Sequence, residues 1–241
     1  MPSRPFVPLD EVARECFNST VSLFWGYPED DSLRSATGFF IELDGPFLFT
    51  ARHVIEAFLE AKNDDASLEL KVGKGYIDRV RQRVVDRNQD VDMVALNLEG
   101  IEISSFKLNH IKFFKPKRWP PNCVSPDAQV FFIGFVADKH RTIDWSQGAI
   151  RFHSFTVCTE VGSVSNSHFD CPIIMEKIKQ NTDFEAQWPT VYGGLSGSPV
   201  FVIREDRRPE LTGIVFEELN SFDTIRAHHS KLFNSNGTLG V

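Results

Sequence analysis

Short apolar runs, each a few residues long and separated by polar turns, dominate this chain. Ser67-Leu68-Glu69-Leu70-Lys71-Val72 alternates strictly, as a half-buried strand does. Val21–Phe24, Thr37–Leu43, Pro46–Thr50, Leu68–Val72, Val80–Val85 and Met93–Leu98 predict a first set of strands. Val130–Phe135, Ala149–Phe155, Thr156–Val161, Ile173–Glu176, Pro199–Ile203 and Leu211–Phe216 predict a second. One stretch has another period. Val54, Ile55, Phe58 and Leu59 recur at helical spacing, which predicts a short helix from Val54 to Lys62. Phe113 to Asp127 carries four prolines and reads as a link between the two sets. The tail from Ser221 to Leu232 is a helix candidate, and Asn234 to Val241 reads as a frayed end. There is no internal repeat and no low-complexity segment.

Composition supports a packed protein and narrows its partners. The chain has 241 residues, 41% of them hydrophobic, with 22 phenylalanines, so aromatic packing is expected to fill much of the core. A formal net charge of −7 argues against a phosphate-binding surface, and no nucleic-acid partner is expected. The basic run Lys115-Pro116-Lys117-Arg118-Trp119 is short, is followed by two prolines, and reads as a solvated link. No apolar run is long enough to cross a bilayer, so no membrane partner is expected. Arg4, Asp10, Glu11 and Glu15 interrupt any apolar core of a signal peptide, and the expected compartment is the cytoplasm. The cysteines Cys16, Cys123, Cys158 and Cys171 lack C-x-x-C spacing and read as intracellular thiols, with one or two disulfides as the alternative that an even count leaves open. No metal and no cofactor are expected.

Three segments carry chemistry. Gly193-Gly194-Leu195-Ser196-Gly197-Ser198-Pro199-Val200 sets a serine among glycines, ahead of a strand. A serine hydroxyl is a weak nucleophile unless a base takes its proton, and small neighbours let main-chain amides approach an oxyanion. Phe47-Leu48-Phe49-Thr50-Ala51-Arg52-His53-Val54 places a histidine where a strand ends. Asp90-Val91-Asp92-Met93-Val94-Ala95-Leu96 leads an acid into another strand. His, Asp, Ser is one of the known orders of a catalytic triad.

Together these segments resemble the trypsin/chymotrypsin-like serine peptidases, of the bacterial or intracellular type. "TARHV" is similar to that family's T-A-A-H, "DMVAL" to its aspartate motif and "GLSGSP" to its G-D-S-G-G-P. Thr37–Ile41, Val130–Phe135 and Leu211–Val215 are similar to flanking strands, so the resemblance runs roughly from Val21 to Phe216. It implies an all-β fold of two six-stranded antiparallel β-barrels, with a short helix after the histidine. The first barrel would be 1–112, the link 113–128 and the second barrel 129–241. It implies a serine endopeptidase acting on a peptide or protein substrate. Ser196 would be the nucleophile, His53 the base and Asp92 the acid, with Asp90 and Asp86 as rivals for the acid. The N–H groups of Gly194 and Ser196 would form the oxyanion hole.

Departures from the family pattern matter too. Leu195 stands where many relatives have an aspartate that pairs with a new N-terminus, and no I-V-G-G-like segment precedes the first strand. The site is therefore expected to be preformed or ordered by a regulatory protein partner. Ser198 replaces a glycine. Thr190, Phe216, Glu217 and Glu218 are the pocket candidates. No acid stands at Thr190, which argues against a preference for Lys or Arg, and Phe216 replaces a small residue. His168 and His153 are candidates for reading an acidic side chain; His110, His140, His228 and His229 follow no motif. Two other classes stay open. One is a silent trypsin-like fold that binds a peptide or protein. The other is an α/β-hydrolase esterase using Ser196 with Asp223 and His228, although the chain lacks alternating strands and helices.

Overall fold

A computed structural model describes residues 9–29, 32–88, 90–108, 110–136, 141–144, 149–173, 178–180, 193–204, 208–219 and 223–240. The first half contains helix α1 (Leu9–Phe17), strands β1 (Thr20–Trp25), β2 (Arg34–Glu42) and β3 (Pro46–Thr50), and helix α2 (Arg52–Asp64). Strands β4 (Leu70–Val72) and β5 (Gly75–Ile77), helix α3 (Val80–Arg83) and strand β6 (Val94–Asn97) complete it. The second half contains β7 (Gln129–Phe135), β8 (Arg141–Asp144), β9 (Ala149–Phe152), β10 (Ser154–Glu160) and β11 (Ser163–Val164). It continues with β12 (His168–Pro172), β13 (Ile178–Gln180), β14 (Pro199–Ile203), β15 (Pro209–Leu219) and β16 (Thr224–His229).

The strands form two curled antiparallel sheets. The first has the order β5-β4-β1-β2-β3-β6, the second β11-β12-β16-β15-β14-β7-β10-β13, and β8 pairs with β9 alone. This is the expected all-β class, a chymotrypsin-like double barrel. Leu23, Phe40, Leu48, Phe58, Leu70 and Leu96 fill the first sheet's core. Phe132, Phe155, Phe169, Val200 and Ile225 fill the second. A third core lies between them and is built on phenylalanine. Phe49 stacks on Phe233 at 4.0 Å, Phe131 on Phe201 at 5.3 Å, and Phe39 meets Phe201 edge-on at 5.5 Å. All five rings are buried. Each contributes roughly 1.5–3 kcal/mol by leaving water, so the rings lock the two sheets into one body.

Several expectations change. Val80–Val85 is not a strand: Val80–Arg83 forms a helical turn, and only Val84 bridges Leu96. Arg83 closes that turn by donating to the Asp78 carboxylate at 2.6 Å and to the Asn97 carbonyl at 2.9 Å. The strand expected at Ile173–Glu176 lies upstream at β12; Ile173 is outside it, and 174–176 are outside the described residues. Of the tail candidate for a helix, 221–222 lie outside the described residues, and the rest is β16, paired with β15 on one side and β12 on the other, with a 3-10 turn at Ser230–Leu232. Two ready partners and the burial of Ile225 and Ala227 outweigh local helix propensity. The expected frayed end is tied down over 234–240. Asn234 N–H donates to the Thr238 carbonyl at 2.7 Å, and Leu239 N–H to the Asp86 carboxylate at 3.0 Å. Helix α1 had no counterpart in the sequence reading; Val12, Ala13, Cys16 and Phe17 pack on the third core. None of the four cysteines is in a disulfide. No helix among the described residues is long and apolar enough to cross a membrane.

Candidate active site

The pairing of β3 with β6 puts an acid beside a histidine. Their last register pair is Thr50 with Val94. Carried two residues further, the antiparallel register sets Asp92 opposite Arg52, next to His53. The chain leaves β3 through the fully buried Ala51 and turns at once into α2, which anchors itself through Val54, Ile55 and Phe58. His53, the second residue of that helix, keeps its ring half exposed.

Asp92 grips His53 with both carboxylate oxygens. Oδ2 lies 2.6 Å from the ring Nδ1, and Oδ1 accepts the His53 main-chain N–H at 2.9 Å. Burial would raise the Asp92 carboxyl, but the bonds from His53, its charge and nearby Arg52 outweigh it and hold the group below its ordinary value. The rivals lie elsewhere. Asp86 accepts from Arg87 and Leu239 N–H groups, and Asp90 is exposed.

The serine turn is fastened to the first sheet by Thr37 on β2. Thr37 N–H donates to the Ser196 carbonyl at 3.1 Å, and its hydroxyl donates to the Gly194 carbonyl at 2.8 Å. That hydroxyl also accepts the Phe135 N–H from β7 at 3.0 Å. From the other side, Gly197 N–H donates to the Val215 carbonyl on β15 at 2.8 Å. Gly194 and Gly197 have φ of +90° and +91°, the left-handed region in which glycine costs nothing. Ser198 is fully buried against β7. A Cβ on Gly134 would fall 2.1 Å from its Oγ, so Gly134 supplies the space that Ser198 uses.

His53, Gly194 and Ser196 line one open cleft of about 460 Å³, together with Trp25, Arg34 and Ala36. Asp92 occupies Nδ1 of the ring, which leaves Nε2 for chemistry in the cleft. Among the described residues, no cluster of His, Cys, Asp and Glu is placed to hold a metal ion.

Of the pocket candidates, Thr190 lies outside the described residues. Phe216 sits at a bulge of β15, where its pairing with β16 slips. Glu217 pairs with Arg226 at 3.3 Å, and Glu218 follows it on the same strand. His168 lies edge-on to Phe216 at 6.4 Å, with its Nδ1 within 3.0 Å of the Ser165 hydroxyl. His153 is buried between β9 and β10.

Two residues near the site carry no local signal for it. In sequence, Thr37 is only part of a strand. His228 fits only the esterase alternative, yet its Nε2 lies 3.1 Å from the Asp92 main-chain nitrogen, and Asp223 sits in the turn before β16. That placement and the all-β fold remove the esterase arrangement.

No protein-family model and no curated protein matches this chain. Solved structures do. A serine endoprotease from Yersinia pestis superposes with a TM-score of 0.54 at 14% identity, over 95% of this chain and 65% of that one. The active form of the Rv3671c protease from M. tuberculosis aligns with a TM-score of 0.49 at 15% identity, over 95% of this chain and 90% of that one. This chain thus has the double-barrel fold of the trypsin-like serine endoproteases, and spans 65% of the length of the Yersinia protein.

Proposed function

We propose that this protein is a serine endopeptidase that cleaves peptide bonds through His53, Asp92 and Ser196. The observation that carries this reading is the double contact of Asp92 with His53, at the rim of the cleft that Ser196 also lines. In this mechanism His53 Nε2 takes the Ser196 proton as Oγ attacks the substrate carbonyl carbon. Asp92 holds the ring in the Nδ1–H tautomer and stabilises its charged form. The Gly194 and Ser196 N–H groups receive the oxyanion. The intermediate collapses as His53 passes its proton to the leaving amine, which leaves an acyl-enzyme. Water, deprotonated by the same imidazole, then releases the acid and restores the serine.

The Thr37 and Val215 bonds support a serine turn ordered by the fold itself, in place of the aspartate that Leu195 replaces. A regulatory partner would then act on access to the cleft. The test is labelling with a fluorophosphonate probe and turnover of a casein-type substrate. Labelling that disappears in Ser196→Ala, with activity cut by roughly four to six orders of magnitude in Ser196→Ala or His53→Ala, is the expected result. An unlabelled wild-type protein would leave a peptide-binding module on this fold.

A further inference from the structure

We infer that His228 is a positioning residue for the proposed triad, anchoring the main chain of Asp92 so that its carboxylate stays against His53. This rests on the serine-peptidase reading above. Both Asp92 oxygens are already bonded to His53, so the acid needs a hold of its own from another direction. His228 supplies one. Its Nε2 accepts the Asp92 N–H at 3.1 Å, although His228, on β16, lies 136 positions away along the chain. Only a ring with a bare Nε2 can accept, so the proton sits on Nδ1 and is donated to the Ser167 carbonyl at 3.1 Å. His53 on α2 and Asp92 just before β6 belong to the first half of the fold, and His228 to the second sheet. The bond therefore crosses the boundary between the two halves at the triad itself.

The ring has no freedom to leave. It is 4% exposed and stacks on Phe216 at 3.8 Å with planes 16° apart. Phe216, the large residue where the resemblance leads one to expect a small one, is thus the platform for the imidazole. The hydrogen bond works only while His228 is neutral. A second ring proton on Nε2 would meet the Asp92 N–H donor to donor and push the acid's main chain away. Among the described residues, the titratable groups around it are Asp92 before β6, His168 on β12 and His229 on its own strand, while β15 offers the uncharged Phe216. Burial lowers the His228 pKa, with help from His168 and His229, and outweighs the opposing pull of the Ser167 carbonyl and Asp92. The ring thus stays a neutral acceptor through the neutral range.

The first test uses the unaltered protein. Nitrogen-15 NMR of the histidine rings near neutral pH is expected to find His228 as the Nδ1–H tautomer. An Nε2–H tautomer or a charged ring overturns the inference. The second test compares His228→Gln, whose amide oxygen can still accept, with His228→Phe, which keeps the stack and loses the acceptor. His228→Phe is expected to lower kcat about 10- to 100-fold with KM little changed, and His228→Gln to recover most of it. Wild-type acid sensitivity of kcat that traces to His228 is expected to vanish in His228→Gln. A folded His228→Phe protein with full kcat, or a loss carried by KM alone, overturns the inference. Should His228→Phe not fold, the tautomer and His228→Gln decide. A wild-type protein that takes no fluorophosphonate label sinks the peptidase reading instead, and the tautomer then still decides whether His228 holds Asp92.

Discussion

Gly197 lies so close to Thr37 that a side-chain carbon on it would fall 1.9 Å from the Thr37 carbonyl oxygen. The same carbon would meet the Thr50 hydroxyl at 2.3 Å, and φ at Gly197 is +91°. Neither neighbour can yield. Thr50 donates to that carbonyl at 2.8 Å, and Thr37 N–H holds the Ser196 carbonyl beside it. Gly197→Ala is therefore expected to push the serine turn out of place. Fluorophosphonate labelling should slow by about 100-fold or more. The left-handed backbone and the clash should together cost about 1–3 kcal/mol or more, read as a lower melting temperature. Normal labelling would mean the turn is not held as described.

The Thr37 hydroxyl joins three segments, since it accepts from Phe135 and donates to Gly194. Thr37→Val keeps the shape and removes the join, leaving the Phe135 N–H unpaired. A loss of about 1–3 kcal/mol in a urea titration is expected, with a slower rate of probe labelling. Thr37→Ser, which keeps the hydroxyl, should restore both. Equal behaviour of the valine and serine variants would remove Thr37 from the site's support.

Asp92 and Asp90 separate by position alone. Asp92→Asn keeps the shape but lets the His53 ring take the wrong tautomer, and a loss of about 10⁴ in kcat is expected. Asp90 is exposed, and the bonds to His53 come from Asp92, so Asp90→Asn should stay within about twofold of wild type. The comparison is a pair of kcat measurements on one peptide substrate. The reverse ranking would move the acid by two residues.

Stability should fall in two steps as pH drops. Burial lowers the pKa of His228 and His229 below the ordinary 6.5. Such a base binds fewer protons folded than unfolded, so its contribution is complete above about pH 6.5 and is lost on acidification below it. Asp92 and Asp170 follow. Burial opposes their charge, yet the bonds from His53 to Asp92 and from Arg226 and Ser163 to Asp170 hold both carboxyls below 3.8. Their contribution is complete above that value and is lost as pH falls through their folded values. Urea midpoints measured from pH 8 to pH 3 should show a first decline starting near pH 6.5. That decline should shrink in His229→Gln. A flat midpoint down to pH 5 would contradict the neutral, buried state of both imidazoles.

Local pattern was enough to read the strands that carry the candidate site. Pro46–Thr50 and Pro199–Ile203 stand where the apolar runs predict them, because a buried strand needs a short β-rich run and a turn at each end. As candidates, His53, Asp92 and Ser196 stand out for the same reason, each lying within a few residues of the end of such a run. Val80–Val85 misled because Arg83 folds back on Asp78, a contact that no periodicity contains. The Ser221–Leu232 tail misled because strand pairing, which joins residues far apart in the chain, decides between strand and helix there. The supports of the site were hidden in the same way. Nothing near Thr37 in sequence points to Gly194, and nothing near His228 points to Asp92. The chain's own order of residues thus determined the apolar segments, the turns and which side chains carry reactive groups. Closure of the two sheets on a shared phenylalanine core decided which of those groups meet, since hydrogen bonds and burial act through distances in space.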